Sequence, residues 1–318
     1  MELIDRLDDE HRAVVESFPP NLFGIDDIPQ VRRAFEALIN VKPPELPETV
    51  EIVDRFVDGY EGHQLMIRTY ERSDRTSTTG ALYWIHGGGM ILGDVSMSDF
   101  SCSRLADQLG VLVASVEDRL APEHPYPVPL EDCCAGLAWL FDQAGELDID
   151  PARVALGGQS AGGGLAAGLA LLARDRGLPS PCLQLLTYPM LDDRNDTPSS
   201  HAVFDPRVWN RAANEVGWTA YLAGEAGADD VSPYAAPARA TDLAGLPPAY
   251  ITVGELDMFI DEDIAYAQAL HRAGGPTELH VYAGAFHGSD GFVPKADASL
   301  RWRRDELAAL ERAFGRSR

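Results

Sequence analysis

The chain contains 318 residues, of which 45% are hydrophobic, 24% charged and 8% aromatic, a composition typical of a globular protein without long disordered tracts. Its 50 acidic residues outnumber its 26 Lys and Arg residues, so the formal net charge is −24. Such a negative field repels nucleic acids and anionic membrane surfaces, and therefore favours neutral or cationic small molecules as partners.

The chain opens with a predicted helical appendage at residues 1–48. The first residues, MELIDRLDDEHR, have neither the basic region nor the apolar core of a signal peptide, and no stretch of the sequence is long enough for a membrane span. We therefore predict a cytoplasmic protein. A helical pattern from Val31 to Leu38 and the Pro-rich stretch from Lys42 to Pro47 predict cap helices followed by a linker.

Strands dominate the next part of the pattern. Two strand-like segments lie near Glu51 to Val57 and Gln64 to Tyr70, and from Ala81 onward short β-rich runs alternate with helical patterns. These runs are Ala81 to Ile85, Val111 to Val116, Val154 to Leu156, Leu183 to Tyr188, Ala249 to Val253 and Glu278 to Tyr282. Strands separated by helices need crossover connections, so the sheet should be mainly parallel and covered on both faces. We predict an α/β fold with its functional residues at the carboxyl ends of the strands.

The alternation lapses over residues 190–247, which is too long for a plain loop. We predict an inserted helical cap segment there, and a catalytic domain formed by residues 49–189 and 248–318. Four aromatic residues of the insert are expected to enclose part of a substrate: Phe204, Trp209, Trp218 and Tyr221. The last segment, from Ala296 to Phe314, is predicted to be a helix that packs back on the sheet.

A serine motif follows one of the predicted strands. Residues 158–162 (GQSAG) fit the pattern G-x-S-x-G, with a strand before them and helix-forming residues after them. A serine on such a sharp turn has its hydroxyl exposed for nucleophilic attack. The pattern alone is weak, and a glycine-rich turn before a helix could also bind phosphate. The sequence has no G-x-G-x-x-G or G-K-[ST] pattern, however, so we predict that Ser160 is a nucleophile.

A glycine motif, His86 to Gly89, directly follows the strand predicted at Ala81 to Ile85. Consecutive glycines let backbone N–H groups turn toward a ligand, and together with the N–H of Ala161 they can form an oxyanion hole. Either motif alone could be a tight turn without function. The two motifs in this order are specific, and they indicate acyl transfer.

The general base should lie after the last strand, because the residues of this kind of triad follow one another as Ser, acid and His. His287 lies in a loop just past that strand. We interpret His280, within a strand, and His271, on a helix, as structural. His201 lies in the insert and precedes any acid at the end of the next strand.

Two carboxylates could orient the base. Asp257 and Asp261 both follow the strand predicted at Ala249 to Val253, and Asp257 is the closer of the two. Asp261, beside Glu262 and Asp263, is typical of acidic residues in the first turn of a helix. We therefore predict Asp257 as the acid of the triad and keep Asp261 as its alternative.

These motifs resemble those of the hormone-sensitive-lipase family of esterases. The matching segments are HGGG at 86–89, LGD at 92–94, RLAPEHP at 119–125, QSAGG at 159–163, GELD at 254–257 and GAFHG at 284–288. The resemblance extends from about Ala81 to beyond His287. It implies the α/β-hydrolase fold, oxyanion donors at Gly88, Gly89 and Ala161, and a cap formed by the N-terminal helices and the insert.

The chain departs from the family pattern at four positions. Gln159 stands where Asp usually precedes the nucleophile, and Asp118 replaces the Tyr before RLAPE. Met258 replaces a Pro after the acid, and Ser289 replaces a Phe after His-Gly. None of these changes removes a predicted triad residue, but they leave the substrate preference open.

The predicted activity is hydrolysis of short to medium acyl esters through a Ser-His-Asp triad and an acyl-enzyme. A small-molecule ester is the expected partner, and no metal or organic cofactor is implied. Related esterases often dimerise, so a homodimer remains an option that no sequence feature decides. The alternatives are an amidase or lactonase with the same triad, a non-catalytic ligand-binding relative, and a scaffold whose cap recruits a partner.

Overall fold

Three helices open the chain, which a computed structural model describes over residues 3–24, 27–39 and 45–315. They are α1 (Leu3–Arg6), α2 (Asp9–Ser17) and α3 (Ile28–Ile39). The helical pattern from Val31 to Leu38 is thus confirmed. The predicted linker lies partly outside the described residues, because Lys42 to Pro44 are not among them.

An eight-stranded sheet forms the centre of the molecule. Its strands are β1 (Val50–Asp58), β2 (Gln64–Arg72), β3 (Thr79–Ile85), β4 (Leu112–Val116), β5 (Ile149–Gln159), β6 (Gln184–Thr187), β7 (Ala249–Gly254) and β8 (Thr277–Tyr282). They lie in the order β1-β2-β4-β3-β5-β6-β7-β8. Only β2 pairs antiparallel, with β1 and with β4, and every other neighbouring pair is parallel. The predicted, mainly parallel sheet is confirmed.

Helices cover both faces of this sheet. The remaining α-helices of the described chain are α4 (Asp99–Leu109), α5 (Val128–Asp142), α6 (Ala161–Arg176), α7 (Pro198–Ala202), α8 (Arg211–Tyr221), α9 (Ile260–Arg272), α10 (Ser289–Phe292) and α11 (Asp297–Ala313). Residues of α4 and α11 pack with Leu82 and Trp84 of β3 on one face, while α5, α6 and α9 pack with Tyr83 and Ile85 on the other. Because successive side chains of a strand point to opposite faces, a strand buried on both sides is largely apolar, as β3 is from Ala81 to Ile85.

The segment at 190–247 contains α7, α8 and a short 3₁₀ helix at Pro237–Arg239, and no strand. Trp209, Trp218 and Tyr221 are buried in it, whereas Phe204 is 62% exposed. The expectation of an enclosing aromatic side chain is therefore wrong for Phe204. The N-terminal residues pack on this segment, since Phe23 donates its backbone N–H to Pro206 O at 2.7 Å and its ring contacts Trp209 edge-on.

Crossing a bilayer takes a long and continuously apolar helix. None of the helices in the described part of the chain has that combination of length and apolar character.

Candidate active site

Ser160 occupies a strained turn between β5 and α6. Its φ of 56° and ψ of −121° lie outside the regions that non-glycine residues favour. Backbone hydrogen bonds on both sides hold this conformation: Ser160 N–H donates to Thr187 O at 2.9 Å, and Met190 N–H donates to Ser160 O at 3.0 Å. The serine hydroxyl is thereby presented at the carboxyl end of β5, as the sequence motif predicts.

The turn leaves no room for a side chain at Gly162. A Cβ atom there would lie 2.2 Å from the carbonyl oxygens of both Ile85 and His86. The first turn of α6 therefore packs directly against the end of β3 and the start of the HGGG loop. This contact sets the serine and the glycine loop side by side.

His287 lies in the loop after β8 and accepts a hydrogen bond from the hydroxyl of Ser160. Ser160 Oγ and His287 Nε2 are 2.9 Å apart, and His287 Nδ1 and Asp257 Oδ2 are 2.8 Å apart. Asp257 is fully buried, and its other oxygen accepts the backbone N–H of Phe259 at 3.0 Å. The structure thus brings the three predicted residues into one chain of hydrogen bonds.

The geometry selects one tautomer of the imidazole. Because an ionised carboxylate only accepts hydrogen bonds, Nδ1 of His287 carries a proton toward Asp257. Nε2 then presents its lone pair to the hydroxyl of Ser160. This is the arrangement that a general base requires.

Two aromatic side chains hold the imidazole edge-on. The ring centroid of Tyr188 is 4.7 Å from that of His287, and that of Phe259 is 5.1 Å away. Tyr188 also donates its hydroxyl to Asp290 Oδ1 at 2.9 Å. The sequence analysis did not identify either aromatic residue; their positions directly after β6 and two residues after Asp257 were the available signal.

The alternative residues lie elsewhere. Asp261 Oδ2 accepts the backbone N–H of Ser199 at 2.8 Å and has no hydrogen bond to His287. His201 pairs with Asp196, and His280 pairs with Glu278, in both cases at the surface. His271 is exposed on α9. None of these residues joins the chain of hydrogen bonds at Ser160.

The loop after β3 lies beside the nucleophile. A Cβ atom at Gly87 would be 3.4 Å from Ser160 Cβ. No hydrogen bond between described residues uses the N–H groups of Gly88, Gly89 or Ala161 as donors. Gly89 has a φ of 62°, and a Cβ atom there would lie 2.1 Å from the ring of Trp209, so this position requires glycine. The insert therefore packs directly on the loop.

Two acidic residues that the sequence placed in the first turn of α9 are buried. Glu262 Oε1 accepts the backbone N–H groups of Leu191 and Asp192, at 2.7 and 3.3 Å. Burial raises the pKa values of Glu262 and Asp263 well above their usual range. Both carboxyl groups lie in the interior of the protein.

Metal ligands are not assembled in this site. In the described ranges, no group of three or more His, Cys, Asp or Glu side chains could hold a metal ion. The polar groups around Ser160 are those of acyl transfer: a hydroxyl, an imidazole, a carboxylate and unengaged backbone N–H groups.

Several proteins to which this chain is similar in sequence and structure are named esterases. A family profile described as alpha/beta hydrolase fold matches residues 82–290. Esterase LipI of Mycobacterium tuberculosis is 35% identical over 300 residues, which cover 93% of this chain and 92% of LipI. Carboxylesterase NlhH of the same organism is 34% identical over 95% of both chains. A bacterial heroin esterase superposes with a TM-score of 0.93 and 42% identity, over 98% of this chain and 99% of its own. The chain therefore belongs to the esterases of the α/β-hydrolase family.

Proposed function

We propose that Ser160, His287 and Asp257 form the catalytic triad of a carboxylesterase that acts through an acyl-enzyme on short to medium acyl esters. The observation that carries this proposal is the continuous chain of hydrogen bonds from Ser160 Oγ through His287 to Asp257, at 2.9 and 2.8 Å. This chain of hydrogen bonds begins at a serine whose strained backbone conformation is typical of the nucleophile in a strand-turn-helix motif.

In the first half of the reaction, His287 Nε2 takes the hydroxyl proton as Ser160 Oγ attacks the ester carbonyl. The imidazolium then returns this proton to the leaving alcohol. Water attacks the acyl-enzyme in the second half, with His287 again as base. Asp257 keeps the proton of Nδ1 in place and stabilises the imidazolium through its negative charge.

Gly88, Gly89 and Ala161 would donate to the oxyanion of the tetrahedral intermediate. Their N–H groups are unengaged in the described structure, and the α6 N-terminus at Ala161 adds a partial positive charge. Donors that are already aimed need no reorganisation when charge develops on the oxygen, which makes such a site effective.

The preference for short to medium acyl groups rests on Trp209. This buried ring contacts Gly89, donates Nε1–H to Asn214 Oδ1 at 3.2 Å and is held edge-on by Phe23. Gly217 of α8 also approaches the loop, since a Cβ atom there would lie 2.6 Å from Gly89 O. The loop at His86 to Gly89 is called the oxyanion loop from here on. A rigid aromatic wall this close to it limits the space for a long acyl chain.

We assign residues 1–48 and 190–247 to the cap of the catalytic domain. The helices at the N-terminus and the insert enclose a cleft of about 380 Å³ that is lined by Leu3, Phe18, Phe204 and Arg207, among others. Phe18 packs edge-on against Phe292, five residues after His287. Together with the 6% exposure of Ser160, these contacts support the assignment of a cap over the nucleophile.

The function is tested with an ester, the matching anilide and a phosphonate directed at serine nucleophiles. We expect ester hydrolysis and labelling of the wild-type protein, and loss of both in Ser160→Ala. A triad nucleophile accounts for roughly a millionfold in rate in a well-studied protease. Ser103→Ala is the matched control, because Ser103 is a buried serine on α4 whose hydroxyl has no partner in the described structure. Faster turnover of the anilide would identify an amidase instead, and near-native activity of a folded Ser160→Ala protein would refute the triad.

A further inference from the structure

A buried histidine and a buried aspartate face each other next to the oxyanion loop. His86 follows β3 and Asp118 follows β4, the parallel neighbour of β3, so both lie at the same edge of the sheet. His86 is 3% exposed and Asp118 is 5% exposed. His86 Nε2 and Asp118 Oδ1 are 3.6 Å apart, and across the described residues neither atom has another polar partner.

The contact of the other ring nitrogen of His86 shows where one proton of the imidazole lies. Nδ1 lies 2.6 Å from the carbonyl oxygen of Gly87. A carbonyl only accepts, so Nδ1 carries a proton. If Nε2 and Asp118 had no proton between them, a lone pair would face a carboxylate in a buried place where neither is solvated. One shared proton, on the nitrogen or on the carboxyl group, removes this conflict.

We propose that Asp118 is a positioning residue of the oxyanion loop, because the proton it shares with His86 holds the imidazole that orients the Gly87 carbonyl. Gly87 precedes the two glycines assigned as oxyanion donors. A rotation of its peptide plane would change the direction of the following N–H group. This inference rests on the proposed function of Gly88 and Gly89, and it assigns a role to a residue at which the chain departs from the family pattern.

Several groups face Asp118 from the surrounding elements. They are His86 after β3, Glu117 at the end of β4, Tyr83 on β3, Asp132 and Cys133 on α5, and Tyr221 on α8. Arg119 neutralises Asp132 through a two-pronged ion pair. Burial raises the pKa of Asp118 to about 7; His86 acts against this rise, whereas the carboxylates of Glu117 and Asp132 add to it. Asp118 therefore keeps its proton to a much higher pH than an exposed Asp does.

Loss of this proton to solvent has a defined consequence. As the pH rises, Asp118 becomes a carboxylate, and the lone pair of Nε2 then faces a charged oxygen that it repels. The imidazole then moves, and its hydrogen bond to Gly87 is weakened. The N–H groups of the oxyanion hole are then misaligned. Because the oxyanion forms in the transition state and not in the bound substrate, kcat falls more than KM changes.

The first test compares the pH profiles of kcat for the wild-type protein and Asp118→Asn. An amide can hold His86 without a shared proton. We therefore expect the wild-type kcat to decline on the alkaline side, and Asp118→Asn to keep its neutral kcat within a few-fold and to lack the decline. Glu117→Gln is the matched control, because Glu117 is the adjacent, half-buried carboxylate and accepts Val95 N–H at 2.7 Å, farther along the same loop. It should retain the alkaline decline.

A second variant separates positioning from folding. Asp118→Leu leaves Nε2 without a partner, and we expect kcat to fall on the order of tenfold with little change in KM, as for a displaced catalytic group. A rise in the KM of Asp118→Leu without a loss of kcat would contradict the proposal. So would a wild-type profile without an alkaline decline, or a decline removed by Glu117→Gln and not by Asp118→Asn.

Nitrogen NMR of histidine-labelled protein tests the shared proton without any turnover. In the wild-type protein, Nδ1 of His86 should stay protonated over the whole pH range while the environment of Nε2 changes in one step. In Asp118→Asn this step should be absent, because the carboxyl group that shares the proton has been removed. A step that persists in this variant would overturn the proposal even if esters are hydrolysed. A wild-type protein that hydrolyses no ester would instead refute the proposed function, and the spectrum would still decide whether the proton is shared.

Discussion

Tyr188 stands edge-on against His287, with 4.7 Å between the two ring centroids, and its backbone φ is 36°. Its own hydroxyl donates to Asp290 and not to His287. The ring therefore acts as a wall for the imidazole and not as a proton donor to it. A tyrosine held in the left-handed region costs conformational energy, so the surrounding hydrogen bonds must hold it in place.

We expect Tyr188→Phe and Tyr188→Ala to differ sharply. The phenylalanine ring keeps the wall and should leave kcat/KM within a few-fold of the wild-type value. The alanine variant frees one side of His287, and a misplacement of about 1 Å can cost roughly a hundredfold in rate. The measurement is kcat/KM on one short-chain ester, with circular dichroism as the check on folding. Equal losses in the two variants would show that the hydroxyl, and not the ring, supports catalysis.

Asp257→Asn should lower kcat by roughly four orders of magnitude, because the amide stabilises the wrong tautomer of the base. The protein should remain folded, since the side-chain oxygen of Asn can still accept the N–H of Phe259. Asp261→Asn is the matched control: its carboxylate bonds Ser199 at the start of α7, and the change should cost little activity. If the two effects were reversed, Asp261 would be the acid of the triad.

Trp209 should set the acyl-chain preference. For the wild-type protein we expect kcat/KM on p-nitrophenyl esters to rise from acetate, peak and fall well before palmitate. Each buried methylene adds about 0.8 kcal/mol until the pocket is full, and overpacking then costs about 1–3 kcal/mol. Trp209→Phe and Trp209→Ala should move the peak to longer chains, while Phe204→Ala should not, because Phe204 is exposed. A steady rise of kcat/KM out to palmitate, or a peak at the same chain length in the Trp209 variants, would show that Trp209 does not limit the acyl chain.

Acid should release the N-terminal helix α3. Arg32 on this helix bonds the carbonyls of Ile91 and Ala121 and forms an ion pair with Glu123. The arginine lowers the pKa of Glu123 to about 2, from a usual value of 4.5. A lowered carboxyl pKa contributes stability that is full above the unfolded pKa and is lost as the pH falls toward the folded one.

The docking of α3 should therefore weaken between about pH 4.5 and about pH 2. Glu123→Gln should weaken it at neutral pH and remove this part of the acid dependence, whereas Glu36→Gln, a change at an exposed position of the same helix, should alter neither. Limited proteolysis between α3 and β1 at several pH values measures the effect. An identical pH dependence in wild type and Glu123→Gln would exclude the ion pair as its cause.

The parallel sheet and the three residues joined at Ser160 were predictable from local patterns. Strand boundaries were less accurate: the run at Val154 to Leu156 is the centre of a longer strand, Ile149–Gln159. The strand, turn and helix around GQSAG occur in one short stretch of sequence, so they depend mainly on interactions between residues that are close in the chain. His287 and Asp257 could be chosen because chain order and strand ends restrict the candidates.

Contacts between distant segments could not be predicted in the same way. Acidic residues in a first helical turn have the same pattern whether they face water or, like Glu262 and Asp263, the interior. The contact of Trp209 with Gly89 depends on how the insert folds back over the sheet. The pairing of His86 with Asp118 depends on the adjacency of β3 and β4, which the sequence does not specify.

The base of the proposed triad is attached to the outermost strand of the sheet. His287 follows β8, which pairs only with β7, whereas Ser160 follows β5 in the middle. Edge elements open more readily than central ones under heat or denaturant. The protein should therefore become inactive while most of its secondary structure is intact, and recover on cooling as the edge strand pairs again. Its working temperature would then be set by one strand and not by the melting of the whole domain.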